Sequence, residues 1–205
     1  MHALIVVAPP EPRSLVLAVA GQIAAGAQAA GHTAEIADLA AEGFDPRFTA
    51  VDAAVHRREA PIPDDVAAEQ ARIDRADALV LAYPVFWWSM PGLLKGWIDR
   101  VFCNGWAYDE LEPEGPTIRR LQHLPVHLVA LAGADARTYV RHGYFGAMRT
   151  QIDHGVFGYC GAPVVTSELL LDSRGPDAAA HLQTAHAIGG KLFSPEAHAC
   201  QSAAA

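Results

Sequence analysis

The stretch DALVLAYPVFWWSMPGLLKGWIDRVF, residues 77–102, decides the fold. It opens as an apolar run, passes through an aromatic turn and ends with apolar residues at helical spacing. Leu93, Leu94, Trp97, Ile98, Val101 and Phe102 recur on one helical face, so Trp97 belongs to the core. Pro84 and Pro91 restrict the backbone on either side of the turn. Phe86, Trp87 and Trp88 precede the buried face and cannot all point inward. They suit either a flat aromatic ligand, with backbone N–H groups addressing its polar edge, or a neighbouring subunit.

Outward from this unit the same alternation continues. Residues 3–8 (ALIVVA) form a continuous apolar run, the pattern of a parallel strand covered on both faces. A helix is expected over 14–30, stopped by Gly31. Residues 33–39 alternate and suit an edge strand. Residues 43–63 have mixed charge, several prolines and little periodicity, and read as a long loop. Asp64 or Asp65 then caps a helix running to Arg75. Further strands are expected over 126–132 and 163–171, and a closing helix over 176–193. Strands alternating with helices predict an α/β, doubly wound sheet of five parallel strands. One domain over 1–193 is expected, with 194–205 as a flexible tail.

Composition narrows the partners. A chain of 205 residues buries about 70% of its unfolded surface, and its formal net charge of −8 disfavours nucleic acid. The first apolar run lacks a basic flank and is too short to span a membrane, so a cytoplasmic protein without membrane insertion is expected. Cys103, Cys160 and Cys200 are far apart and odd in number, as for reduced thiols. No Cys-x-x-Cys or paired-His spacing occurs, so no metal is expected.

Ligands of such sheets bind beyond the carboxyl ends of the strands, where strand order reverses. Three turns sit there. The first, around residues 8–15, opens a helix whose free amides favour phosphate. Arg13 adds charge and Ser14 a hydroxyl, although the plainer reading is an N-cap serine and a solvated arginine. Neither Gly-x-Gly-x-x-Gly nor a P-loop is present. The second is the aromatic turn. In the third, Gly133 permits close backbone approach, and Tyr139 and His142 follow as a pair able to move a proton or stabilise an anion, or as surface residues.

Residues 83–102, with Gly105-Trp106-Ala107-Tyr108, Ala68-Glu69-Gln70 and Tyr159-Cys160-Gly161, resemble the NAD(P)H:quinone oxidoreductases, the DT-diaphorase-like flavoproteins. The similarity spans residues 3–171. Modulator-of-drug-activity proteins and ancillary subunits of potassium-efflux systems share the central motif.

The resemblance implies a flavodoxin-like strand order of 2-1-3-4-5 and a bound flavin, FAD with FMN as the alternative. It implies ping-pong hydride transfer from NAD(P)H to flavin N5 and then to a quinone, nitroaromatic or similar flat acceptor. Pro84, Val85, Phe86, Trp87 and Trp88 would lie beside the isoalloxazine ring. Gly133 and Ala134 would approach its other carbonyl edge, and Arg13, Ser14 and Leu15 the phosphate. Tyr139 and His142 match the active-site pair, with His142 also in the substrate slot beside Trp87 and Trp88. Tyr108 and Tyr159 would reach the other active site of a homodimer. The first turn departs from the family pattern at Pro9 and Pro10, and the third at Ala134, which leaves FAD or FMN open. Two rival roles are a regulatory flavoprotein subunit of a potassium-efflux transporter and a flavodoxin-type electron carrier.

Overall fold

The structure, a computed structural model, describes residues 1–110 and 115–194; the remainder of the expected tail, with Cys200, lies outside them. The described residues form seven strands: β1 (His2–Val7), β2 (Thr33–Asp38), β3 (Ala78–Pro84), β4 (Tyr108–Asp109), β5 (Ile118–Arg119), β6 (Val126–Leu131) and β7 (Val164–Leu170). Five pair in parallel in the order β2-β1-β3-β6-β7, the expected 2-1-3-4-5 once the small antiparallel β4–β5 pair is set apart.

The helices are α1 (Leu15–Ala29), α2 (Ala50–His56), α3 (Asp64–Asp74), α4 (Gly92–Val101), α5 (Ala136–His142), α6 (Tyr144–Met148) and α7 (Ala178–Lys191), with a π-helix over Arg149–Gly158. Both faces of the sheet are covered, which is why its inner strands read as near-continuous apolar runs. On one face Ala3, Ile5, Val7, Val80 and Val129 pack on Val16, Val19 and Ile23 of α1 and Ala185 of α7. On the other, Leu4, Val6, Leu79, Leu81 and Leu128 meet Leu94, Trp97 and Val101 of α4. Full burial of each large apolar side chain stabilises by roughly 1.5–3 kcal/mol.

Helices α1 and α7 touch backbone to backbone. A Cβ on Gly26 would meet the His186 carbonyl oxygen at 2.1 Å, and one on Gly189 would meet that of Ile23 at 2.1 Å. Trp97 is fully buried, and its indole N–H donates to Glu69 at 2.8 Å. Glu69 in turn pairs with Arg72 at 2.9 Å, so the buried carboxylate is not left alone.

The structure corrects three local expectations. Residues 43–63 are not an unstructured loop: they contain α2, begun by a capping box in which Thr49 and Asp52 bind each other's backbone. That segment is held down by Arg100, which pairs with Asp52 at 2.8 Å and donates to the Asp45 carbonyl at 2.9 Å. Helix α3 is N-capped by Pro63, with Asp64 and Asp65 in its first turn instead of capping it, and Asp65 is taken by Arg100. Residues 144–158, given no element from their pattern, are helical throughout.

Registers place the ligand-facing edge. Val7 pairs with Ala82, and Pro84 with Leu131, so β1, β3 and β6 finish together. Their following turns therefore emerge side by side at one edge of the sheet.

Candidate active site

After β3 the chain stays on the sheet for one more residue, as the Val85 amide donates to the Leu131 carbonyl at 2.8 Å. Phe86 and Ser89 then close a two-residue hairpin, exchanging backbone hydrogen bonds of 3.0 Å in both directions. Both central residues are left-handed, Trp87 at φ 52° and Trp88 at φ 62°. This is the geometry of a type I′ turn, where asparagine and glycine are usual. Tryptophan at such φ values costs on the order of 1–3 kcal/mol per residue. The surroundings hold the strain: Met90 is buried, Pro91 caps α4, and the Ser89 hydroxyl donates to Gln151 on the π-helix at 2.6 Å.

The turn has chemical consequences. Among the described residues, the amides of Trp87 and Trp88 donate to no protein acceptor. Trp87 stands 93% exposed. Trp88 is stacked on Tyr144, with ring centroids 3.7 Å apart and planes 12° from parallel.

The third turn follows β6. Asp135 caps α5 by accepting from the Thr138 amide at 2.8 Å, and Gly143 ends the helix in the left-handed conformation. Tyr139 lies within α5, fully buried. Trp88 meets its ring edge-on at 5.5 Å, and Phe145 lies 5.1 Å away. Its hydroxyl has no hydrogen-bond partner among the described residues, and burial pushes the phenol pKa upward. A buried hydroxyl left unpaired costs about 1–3 kcal/mol, an outlay that a ligand oxygen would recover. The amides of Gly133 and Ala134 are also without protein acceptors among the described residues.

Between the two turns lies a cavity of about 280 Å³ lined by Val85, Trp87, Trp88, Gly133, Ala134, Tyr139 and Arg174. Hollows of about 470 and 440 Å³ flank the π-helix at the sheet edge. They lie away from these free amides and from the tryptophans, so the smaller cavity is the better candidate despite its size.

Of the residues expected from sequence, the cavity gathers Val85, Trp87, Trp88, Gly133, Ala134 and Tyr139. Pro84 ends β3 immediately before it, and Phe86, 45% exposed, forms the base of the hairpin. Arg13, Ser14 and Leu15 do not line it; they follow the neighbouring strand β1. Ser14 is the N-cap of α1, accepting weakly from Leu17 at 3.5 Å, and Arg13 is exposed. His142 is also outside the cavity wall, exposed in the last turn of α5 with its ring 5.4 Å from that of Tyr144. Tyr108 and Tyr159 are brought together elsewhere, their rings edge-on at 5.2 Å. The Tyr159 hydroxyl donates to Glu110, and burial followed by the Glu110 charge pushes Tyr108 up to about 12. The His56 ring nitrogens contact the Tyr108 hydroxyl at 3.2 Å and the Asp99 carbonyl at 3.1 Å.

Sequence reasoning missed Tyr144, Gln151 and Arg174. Tyr144 and Gln151 lie in the helical stretch given no element. Arg174 follows β7, and its signal was available: the rule that ligands sit beyond strand ends applies to that strand as well.

Comparison with known proteins agrees with this architecture. A family model described as flavodoxin-like fold matches residues 1–190. The ribosyldihydronicotinamide dehydrogenase [quinone] of Pongo abelii is 30% identical over 185 residues, covering 81% of this chain and 79% of the relative. The NAD(P)H:quinone oxidoreductase from Methanothermobacter marburgensis superposes with a TM-score of 0.85 at 29% identity, covering 94% of this chain and 98% of that one. A glutathione-regulated potassium-efflux system ancillary protein from Enterobacter is 59% identical, but over 44 residues only, 22% of this chain and 25% of that protein. A fold, a relative and a solved structure thus converge: the chain belongs to the flavodoxin-like family of NAD(P)H:quinone oxidoreductases.

Proposed function

We propose that this protein is a flavin-dependent NAD(P)H:quinone oxidoreductase working as a cytoplasmic homodimer. The observation that carries the reading is the cavity between two strand-end turns, walled by Trp88 and Tyr139 and edged on both sides by free backbone amides. Its volume of about 280 Å³ suits a ring system rather than a whole dinucleotide. The orphaned Tyr139 hydroxyl supports an oxygen-bearing ligand there. The residues therefore fit an isoalloxazine ring.

When bound, the flavin supplies two-electron chemistry, accepting a hydride from NAD(P)H and passing it to the acceptor. The protein's part is orientation, charge and exclusion of water. The Trp87 and Trp88 amides would address one polar edge, and the Gly133 and Ala134 amides the other. Trp88, held by its stack on Tyr144, fixes one wall. Trp87 offers an exposed aromatic surface to a flat nicotinamide or quinone, which would occupy the same place in turn. Tyr139 would donate a hydrogen bond to the oxygen where negative charge develops. The resemblance also gives His142 a part in supporting that charge, although it is exposed one turn further along α5 and outside the cavity wall. The free amides at the start of α1, with Arg13 and Ser14, would take a phosphate. FAD fits this scheme, as does FMN.

Tyr108 and Tyr159 lie away from their own cavity, which supports their reaching the site of a second subunit. Trp87, Phe86 and Phe145 leave exposed apolar surface that a dimer would cover. The two core clusters share one sheet, supporting a single domain over residues 1–193. Among the described residues no helix is long and apolar enough to cross a membrane. A transporter-regulating role rests on the 44-residue similarity alone.

The test is flavin binding read by tryptophan fluorescence. Titration with FMN and, separately, FAD should quench emission and retain yellow colour through gel filtration. A Trp88→Leu variant should lose much of the quenching. Protein that neither quenches nor retains either flavin would overturn the proposal.

A further inference from the structure

We infer that Arg174 is a site residue that grips the reduced flavin more tightly than the oxidised one and thereby sets its potential. This rests on the flavin reading above. Among the described residues that line the 280 Å³ cavity, Arg174 is the one with a charged side chain. It lies across Gly133: a Cβ placed there would come 2.9 Å from the arginine Nε and 3.2 Å from its Cδ. Glycine at 133 thus leaves the space the guanidinium stem occupies.

The backbone carrying Arg174 is tied to the same turn. The Ser173 amide donates to the Ala132 carbonyl at 2.9 Å and the Asp172 amide to that of Ala134 at 3.3 Å. Asp172 is left-handed at φ 52°, and Gly175 donates back to its carbonyl at 2.8 Å, closing a tight turn around the arginine. Arg47, Arg58, Arg72, Arg100 and Arg120 all pair with carboxylates, whereas Arg174 has no such partner among the described residues. Its charge is therefore available to a ligand.

Reduction delivers two electrons and one proton to N5, leaving one negative charge on the N1–C2=O side of the ring at neutral pH. With the amides of the aromatic turn at the N5–C4=O edge, as the family resemblance implies, that side would face Gly133 and Ala134, beside the guanidinium. The protein's net charge of −8 opposes any added negative charge, so a local cation on this edge has a defined task. Arg174 attracts the reduced ring and has little to act on in the neutral oxidised one.

Flavin-loaded parent, Arg174→Ala and Arg174→Lys proteins should be compared by dye-equilibration potentiometry, with oxidised-flavin affinity measured by fluorescence. Arg174→Ala should lose about tenfold in its preference for reduced over oxidised flavin, a fall of about 30 mV for a two-electron couple. Its affinity for oxidised flavin should change by less than about twofold. Arg174→Lys, which keeps the charge, should recover most of the potential. An unchanged potential in Arg174→Ala, or equal losses for both redox forms, would overturn this inference while leaving the flavin reading intact. A parent protein that takes up no flavin would overturn both.

Discussion

Tyr139→Phe gives a two-sided test of the candidate site. The phenol ring is fully buried and contacts Trp88, Tyr144 and Phe145, contacts that phenylalanine keeps. Only the hydroxyl is lost, and it has no partner among the described residues. An orphaned buried hydroxyl costs about 1–3 kcal/mol, so the flavin-free variant should be more stable than the parent, by about 1 kcal/mol at the lower end. With a urea slope of about 2 kcal/mol/M for this size, the midpoint should rise by about 0.5 M. Saturating flavin should reverse the order, because the parent then gains a hydrogen bond that the variant cannot make. The same variant should bind flavin yet be reduced about tenfold more slowly, equivalent to about 1.4 kcal/mol of barrier. Urea unfolding with and without flavin, and stopped-flow reduction by NADPH, read the three quantities. If Tyr139→Phe destabilises the flavin-free protein, its hydroxyl is paired within the fold and is not held for a ligand. If it is reduced as fast as the parent, the assigned role of the tyrosine is wrong.

Other expectations concern the frame around the site. His127, buried in β6 with its Nδ1 2.9 Å from the Thr166 hydroxyl, has its pKa lowered by burial to about 4. The unfolded chain takes that proton near the ordinary value of about 6.5, so stability is complete above it and is lost as pH falls towards 4, by about 3 kcal/mol in all. His127→Gln should flatten this loss in urea melts at pH 7 and 4.5, and parallel losses in both proteins would contradict a neutral buried imidazole. Gly189→Ala would drive a methyl into the Ile23 carbonyl and should cost about 1–3 kcal/mol, visible as a fall in Tm; an unchanged Tm would mean α1 and α7 do not touch there. Replacing Trp87-Trp88 by Asn-Gly should relieve left-handed strain and raise Tm while weakening flavin retention. Lower stability instead would show that packing by the tryptophans outweighs the strain.

Much of the sheet could be read from the chain because both of its faces are covered. Residues 3–8 and 78–82 are apolar without interruption and 126–132 are broken by His127 alone, the near-continuous pattern of parallel strands with two buried faces. Helix α2 escaped notice since only Val55 and Asp52 of its residues are buried and its start is marked by Thr49 and Asp52 rather than by periodicity. The helical run 144–158 was missed for a related reason: the π-helix buries just Ile152 and Phe157, five residues apart, a spacing that α-helical templates do not seek. At the site, Trp87 and Trp88 were conspicuous as large aromatics beyond a strand. Their left-handed turn was not, as neither residue type signals positive φ. Arg174 could be placed beyond a strand end from the sequence, but its contact with Gly133 could not, because it spans 41 positions and depends on β6 and β7 being neighbours.

Anaerobic titration of the flavin-loaded protein with NADPH, followed by a benzoquinone, tests the central claim most directly. The account predicts that the visible flavin band bleaches with one equivalent of NADPH and returns on adding one equivalent of quinone. A band that NADPH leaves unbleached, or that bleaches and does not return with quinone, would contradict it.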